Sequence, residues 1–522
     1  MLRQILPELF FDTRFSEGVL SGGAWQTNFS CWRHPTYHAS LHVQFAAKAM
    51  DRAPDFAASL QQTFSVLRAA FDAAPYPDWT LRRDRLRRLQ ALLRTHAAEF
   101  AEAIDADFGG RPPPETGMLE LVPSLTGIAD ALKHGKGWMR PRAAPVSRWF
   151  FPARARVLPQ PLGVVGVIAP WNYPLVLAVA PLTAALAAGN RAMVKLSEFT
   201  PTFNAVFAQW AGQTFAPDEV AVVQGDAEIG AAFSALPFDH LLFTGSTGVG
   251  KRVMAAAAAN LTPVTLELGG KSPAVITPGY DLAHAAQRIL YGKLLNAGQT
   301  CIAPDYVLVP RAQQSDWVAA CRAAAQKLYP DGLRSPDYTS IIDHRQYSRL
   351  LGLLGEARAA GAQVHALFDG VQADDLRHRL APALVCDAPA SVRLMNEEIF
   401  GPLLPVVAYD DLAQALAHIR SQPRPLALYW FDHDRQRTAD ALLHTHAGGV
   451  TVNDTLLHFA QDELPFGGVG ASGMGSYHGR WGFDTFSKLK PVLFQTRFSG
   501  VGLAAPPYGP RTRWLMKFMG RL

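Results

Sequence analysis

The feature that most constrains this chain is a regular alternation between about residues 163 and 267. Apolar runs at 164–169, 192–196, 219–223, 240–243 and 264–267 have the length and composition of buried strands. Between them, 175–188, 201–214, 227–236 and 249–260 carry helical length and period. Strand and helix alternating at this spacing imply right-handed crossovers, hence a parallel, doubly wound Rossmann-type sheet. Ligands of such sheets bind beyond the carboxyl ends of the strands. A second alternation from about 270 to 455, with strands expected at 274–276, 306–309, 363–366, 404–409, 426–431 and 449–453, predicts a second α/β domain of similar size.

The flanks are helical or irregular. From Met50 a helix is expected, with Asp55 as a capping candidate and Leu60, Phe64, Leu67 and Phe71 on one face. Residues 81–108 read as an amphipathic continuation, leucines inward and arginines on the wet face. Residues 1–49 mix aromatic, histidine and small polar residues without period. They are expected to be an extension that adds little to the packed structure and is dispensable for catalysis, or the product of a start assigned too early. An arm laid on a neighbouring subunit through Phe10, Phe11, Phe15, Trp25 and Trp32 is the alternative. The alternating stretch 149–158 has the pattern of a hairpin that pairs with another subunit.

Composition excludes several classes. Of 522 residues, 18% are charged and 49% hydrophobic, the balance of a soluble globular enzyme. The net charge of +5 comes from scattered arginines, with no aromatic-interleaved basic stripe, so no nucleic-acid partner is expected. Cys31, Cys301, Cys321 and Cys386 lie far apart and form no CxxC pair, which indicates neither a disulfide framework nor a metal site. That usage, with no secretory pattern at the start, points to the reducing cytoplasm. No apolar run approaches the ~18 residues a membrane span needs. The apolar, basic tail 514–522 is expected to pack on a neighbouring subunit, with grazing contact on a membrane as the alternative.

Chemistry-bearing residues cluster at the strand ends. The first strand closes in Trp171-Asn172-Tyr173-Pro174, where Asn172 suits either a helix cap or an oxyanion donor. The second ends in Lys195-Leu196-Ser197-Glu198, an ion pair or a grip on ribose hydroxyls. The fourth runs into Gly245, Ser246, Thr247, Gly248, Val249 and Gly250. This is a glycine-rich strand-to-helix turn that lets backbone approach a phosphate, although neither GxGxxG nor a P-loop. Glu267 ends the fifth strand before two glycines, where partial burial would tune a carboxylate toward a water-activating base. Cys301, in a short polar turn, does not fit the inert core pattern of Cys321 and Cys386.

Glu267-Leu-Gly-Gly-Lys-Ser-Pro with Gly298-Gln-Thr-Cys301 resembles the aldehyde dehydrogenase superfamily. PWNYP, KLSE, FTGSTGVG, the block Glu397-Glu398-Ile399-Phe400-Gly401-Pro402 and PFGGVG follow the same family pattern, over about residues 55 to 500. The blocks around Asn453-Asp454 and Ser472–Gly479 are similar to its class 3 branch, and within it to bacterial enzymes that oxidise coniferyl aldehyde. The resemblance implies Cys301 as nucleophile, Glu267 as base, and Asn172 with the Cys301 N–H as oxyanion hole. It implies that Trp171, Lys195, Glu198, the 245–250 turn with Ser246, Glu398 and Phe400 hold NAD, with NADP possible. It further implies a cofactor domain over 50–140 and 160–266 and a catalytic domain over 267–455. A small oligomerisation hairpin is implied over 141–159 with part of 485–522, as are a completing segment over 456–522 and a homodimer. Leu196, where the family usually has proline, and Trp481 depart from the pattern.

The implied reaction is oxidation of an aldehyde to its acid through a Cys301 thioester that water hydrolyses. An aromatic aldehyde such as coniferaldehyde is the implied substrate, with medium or long-chain aliphatic aldehydes as the alternative. Intact Cys301, Glu267 and Asn172 argue against a non-catalytic scaffold, and Glu267 argues against transfer of the acyl group to a thiol.

Overall fold

The computed structural model describes residues 53–147, 150–497 and 505–520. The expectations for residues 1–49 lie outside them. Val164–Ile168, every residue buried, forms the middle of a six-stranded sheet. Arg191–Lys195 and Val220–Val223 lie on one side of it, and His240–Thr244 and Val264–Glu267 on the other, all parallel. The strand order therefore reverses at Val164–Ile168, the switch point beyond which such sheets bind ligands.

Alternation of side chains explains the layers. Val165 and Val167 face the helix Val176–Ala188, whose residues are almost all buried, while Val164 and Ile168 face Leu60, Phe64 and Leu67 on the helix Ala53–Ala73. The sixth strand, Gly473–Met474, was not expected. It runs antiparallel along Val264–Glu267 and pairs Gly473 with Glu267. Gly473 has φ +142°, and a Cβ there would lie 2.0 Å from the Leu266 carbonyl oxygen, so only glycine closes this edge.

The second sheet has the order Gln363–Ala366, Ala383–Cys386, Leu403–Tyr409, Tyr306–Pro310, Pro273–Ile276, Ala427–Phe431, Gly449–Val452. It is parallel except at Gln363–Ala366. Ala383–Cys386 is an addition to the expected strands. A third sheet joins Arg142–Ala144, Arg154–Pro161 and Ser487–Phe494, all antiparallel. The stretch expected as a hairpin thus pairs with the chain's own C-terminal segment.

Three helical expectations need correction. Asp55 falls inside its helix rather than before it. The stretch 81–108 is two helices, Trp79–Thr95 and Ala97–Phe108, broken at His96, which stacks on Trp210 at 3.7 Å. Arg82 and Arg85 are buried rather than wet. Arg82 donates to the Ala187 and Ala188 carbonyls, groups that the end of the helix Val176–Ala188 leaves without helical partners. Arg85 donates to Glu219 Oε1 at 2.9 Å. Among the described residues, no helix is long and apolar enough to cross a membrane.

Candidate active site

Asn172 follows the central strand and is buried, but it caps no helix. The first amides of the helix, those of Leu175 and Val176, donate instead to the Glu120 carboxylate at 2.7 and 3.2 Å. The Asn172 carboxamide donates to the Gln299 carbonyl at 3.0 Å, and its own backbone carbonyl accepts from Asn296 Nδ2 and Arg111 Nη1. A carboxamide nitrogen carries two N–H donors, so one remains. One residue on, the Tyr173 hydroxyl meets Thr300 Oγ1 at 2.6 Å. The loop at the end of the first sheet is thereby laced to the loop that carries Cys301.

Cys301 is half-buried. Burial pushes its thiol up to about 12, and the charges of Glu398 and Glu267 add to that. Both carboxylates are therefore its electrostatic neighbours, and the thiol rests protonated. Glu267 is 3% exposed, and neither carboxylate oxygen has a hydrogen-bond partner. Burial alone lifts its carboxyl well above the usual range. An unpartnered, strongly perturbed acid beside a thiol is the profile of a functional group rather than a structural one. Cys321 and Cys386 are fully buried in the second domain's core, and Cys31 lies outside the described residues.

Glu398 is held close to Gly269, where a Cβ would lie 2.1 Å from its Oε1. Burial and then the neighbouring Asp305 raise its carboxyl to about 8, against the opposing Gly270 amide, Lys271 and Arg349. Phe400, at φ +49°, meets Trp171 edge-on at 5.4 Å. The segment carrying Glu398 is pinned by a buried ion pair: Lys271 Nζ bonds to Asp305 and donates to the carbonyls of Leu394 and Glu397, while Asp305 accepts from the Ile399 amide. Neither residue is given a role by the sequence alone. A lysine and an aspartate beside apolar strands were the available signal.

The remaining candidates gather at the carboxyl edge of the first sheet. Lys195 ends its strand, buried, with Nζ 3.1 Å from Glu198 Oε2. Ser246 caps the helix Thr247–Ala258, its Oγ accepting from the Val249 amide. Gly248 lies exposed in the first turn of that helix, with nothing within 4 Å of where a Cβ would stand. An open helix N-terminus, a carboxylate beyond the second strand and an unpartnered Glu398 Oε1 fit a dinucleotide laid across the edge. Leu196 is core, and Trp481 bonds the Glu463 carbonyl, away from the reaction centre. Asp130, His134 and Glu463 bring their ligand atoms within 4.8 Å of one another on a partly exposed surface, where His134 Nε2 lies 3.6 Å from Asp130 Oδ1.

The model of the aldehyde dehydrogenase family matches residues 52–492. This chain is an aldehyde dehydrogenase. It is an NAD(P)-using oxidoreductase acting on the aldehyde group. A probable coniferyl aldehyde dehydrogenase of Pseudomonas aeruginosa is 52% identical over 450 residues, covering 86% of this chain and 94% of its own. The coniferyl aldehyde dehydrogenase of a Pseudomonas species is 46% identical over 443 residues, 84% of this chain and 92% of its own. The substrate-bound structure of Staphylococcus aureus AldH matches with a TM-score of 0.83 at 37% identity, over 88% of this chain and 99% of that one.

Proposed function

We propose that this aldehyde dehydrogenase oxidises an aromatic aldehyde of the coniferaldehyde type to its acid, with NAD preferred over NADP. The observation that carries the mechanism is Glu267, buried and unpartnered beside Cys301. Cys301, once deprotonated, attacks the aldehyde carbon. The oxygen that gains charge accepts from the remaining Asn172 N–H and the Cys301 amide, each such donor worth about 3 kcal/mol. Bound NAD(P) supplies the hydride acceptor. Its adenosine ribose would rest on Lys195 and Glu198, its pyrophosphate on the 245–250 turn, and its nicotinamide side on Trp171, Glu398 and Phe400. Glu267 then takes a proton from water, and the resulting hydroxide cleaves the Cys301 thioester to release the acid.

Two relatives named for coniferyl aldehyde support the substrate. The apolar wall of Tyr173, Val176 and Leu177 with Leu119 and Phe459, beside Asn172, suits a ring. Glu198 supports the preference for NAD, since a carboxylate at the ribose repels a 2′-phosphate. A homodimer is supported by the outer strand Ser487–Phe494, which exposes Leu493 and Phe494 along an open edge. The test is NADH formation from coniferaldehyde, benzaldehyde and decanal by the wild-type enzyme and by Cys301→Ala. The expected order places coniferaldehyde first in kcat/KM and finds no turnover in the variant. Decanal in first place refutes the substrate, and turnover by Cys301→Ala refutes the nucleophile.

A further inference from the structure

The turn before Cys301 is strained. Asn296 and Ala297 hold φ of 51° and 50°, and Gly298 follows at 78°. Asparagine tolerates the left-handed region, but alanine does so only where its surroundings impose it. Both residues are fully buried. One clamp is Gln299, whose carboxamide nitrogen donates to the Asn296 and Ser340 carbonyls while its oxygen accepts from the Ile342 amide. The other comes from a distant part of the chain. Glu115, on the helical turn Pro113–Thr116, accepts the Asn296 amide with one carboxylate oxygen and the Thr339 hydroxyl with the other. The same helical region sends Arg111 to the Asn172 carbonyl and Glu120 to the amides of Leu175 and Val176. Three charged side chains outside the reaction centre thus hold its two loops from behind. Of them, Glu115 alone grips the strained turn.

We propose that Glu115 is a positioning residue: its carboxylate, shared between the Asn296 amide and the Thr339 hydroxyl, locks the left-handed turn that presents Cys301. It touches neither substrate nor cofactor. The proposal rests on the reading of Cys301 as nucleophile.

Three variants test it. Glu115→Asp keeps the charge but withdraws the carboxylate by one methylene. Glu115→Gln keeps the reach and can still accept from Asn296 while donating to the Thr339 oxygen. Ala297→Gly removes the strain, so the turn needs less holding. Kinetics are measured per folded enzyme, alongside the rate at which iodoacetamide labels Cys301, followed by peptide mass. In Glu115→Asp, kcat is expected to fall by about tenfold or more with KM little changed, as a displaced reacting group requires. Cys301 labelling accelerates as the released thiol becomes exposed, while Cys321 and Cys386 stay protected. Glu115→Gln stays within about threefold of wild type, and Ala297→Gly added to Glu115→Asp recovers at least about threefold. If Glu115→Asp does not accumulate, Thr339→Val loosens the same carboxylate from its other side and carries the same comparison. Wild-type kcat and labelling in Glu115→Asp overturn the proposal. So does an equal loss in Glu115→Gln, or labelling of Cys321 and Cys386 together with Cys301, which marks general destabilisation. A Cys301→Ala enzyme that still turns over refutes the nucleophile instead, and the labelling comparison still reports on the turn.

Discussion

Replacing Lys271 by methionine removes one half of the buried pair behind Glu398. The side chains of Lys271 and Asp305 are 6% and 4% exposed, so the remaining Asp305 carboxylate would stay in a dry site with the Ile399 amide as its principal donor. Breaking a buried pair in this way costs about 3–5 kcal/mol, mostly the cost of the stranded charge. The Leu394 and Glu397 carbonyls lose their donor as well, but these terms overlap with the first and are not added. Neutralising Asp305 too, in Lys271→Met/Asp305→Asn, removes the stranded charge. The double variant is therefore expected to be more stable than Lys271→Met by at least about 1 kcal/mol. Activity follows the same order, since residues 394–399 carry Glu398 into the site. Lys271 also holds the Glu398 carboxyl down, so its loss moves that group further up from about 8. Urea unfolding followed by tryptophan fluorescence, with NADH assays at the same temperature, gives both quantities. A Lys271→Met protein within about 1 kcal/mol of wild type, or a double variant less stable than the single one, refutes the argument from stranded charge.

Glu267→Gln should release one rapid burst of NADH and then turn over very slowly, since an amide cannot take the proton of water; loss of the burst would assign Glu267 to activating Cys301 instead. Because burial raises both Glu267 and Cys301, their basic forms gain with rising pH, and wild-type kcat/KM should climb from neutral into the alkaline range; a profile falling over that range contradicts this. Glu198→Gln should narrow the gap between NAD and NADP, and a wild-type enzyme that already prefers NADP rules out the role given to Glu198. Glu219 provides an acid-stability test: burial raises its carboxyl, but hydrogen bonds from Arg88 and Arg85 outweigh that and bring it to about 2. A depressed carboxylate stabilises the fold above its unfolded pKa of about 4.5 and loses that contribution as pH falls toward 2. Discounted for the partly exposed Arg88, it is worth about 2 kcal/mol at neutral pH. The difference in urea midpoint between wild type and Glu219→Gln should therefore shrink steadily below pH ~4.5, and a constant difference would show that the charge is not its source.

The two sheets were legible because most of their strands are buried on both faces and read as apolar runs between helices of ordinary length. The strand ends moved by one residue at most. What escaped was contributed by distant partners. Gly473–Met474 is too short to show a period, and only its pairing with Val264–Glu267 makes it a strand. Arg82 and Arg85 sit in a helix whose spacing gives arginines a wet face, and the carbonyls of Ala187 and Ala188 and the carboxylate of Glu219 override it. Within the site, Glu267 and Asn172 stood out as polar residues ending apolar runs, and Cys301 as a thiol in a short polar turn. Arg111, Glu115 and Glu120 did not, because a charged residue on a helix or beside one looks solvated until the loops it supports are folded against it.

The strand that completes the Glu267 edge has a consequence for the order in which the enzyme comes alive. A ribosome has made the thiol loop and the base long before it reaches Gly473. Until that glycine lies against Leu266 and Glu267, one flank of the base's strand stays open, and the acid is not enclosed in the environment that tunes it. The nascent chain therefore carries Cys301 through about a third of its length before the Glu267 strand gains its last neighbour. Fragments released before Gly473 would lack that edge, so a strand made late in synthesis closes the flank on which Glu267 sits.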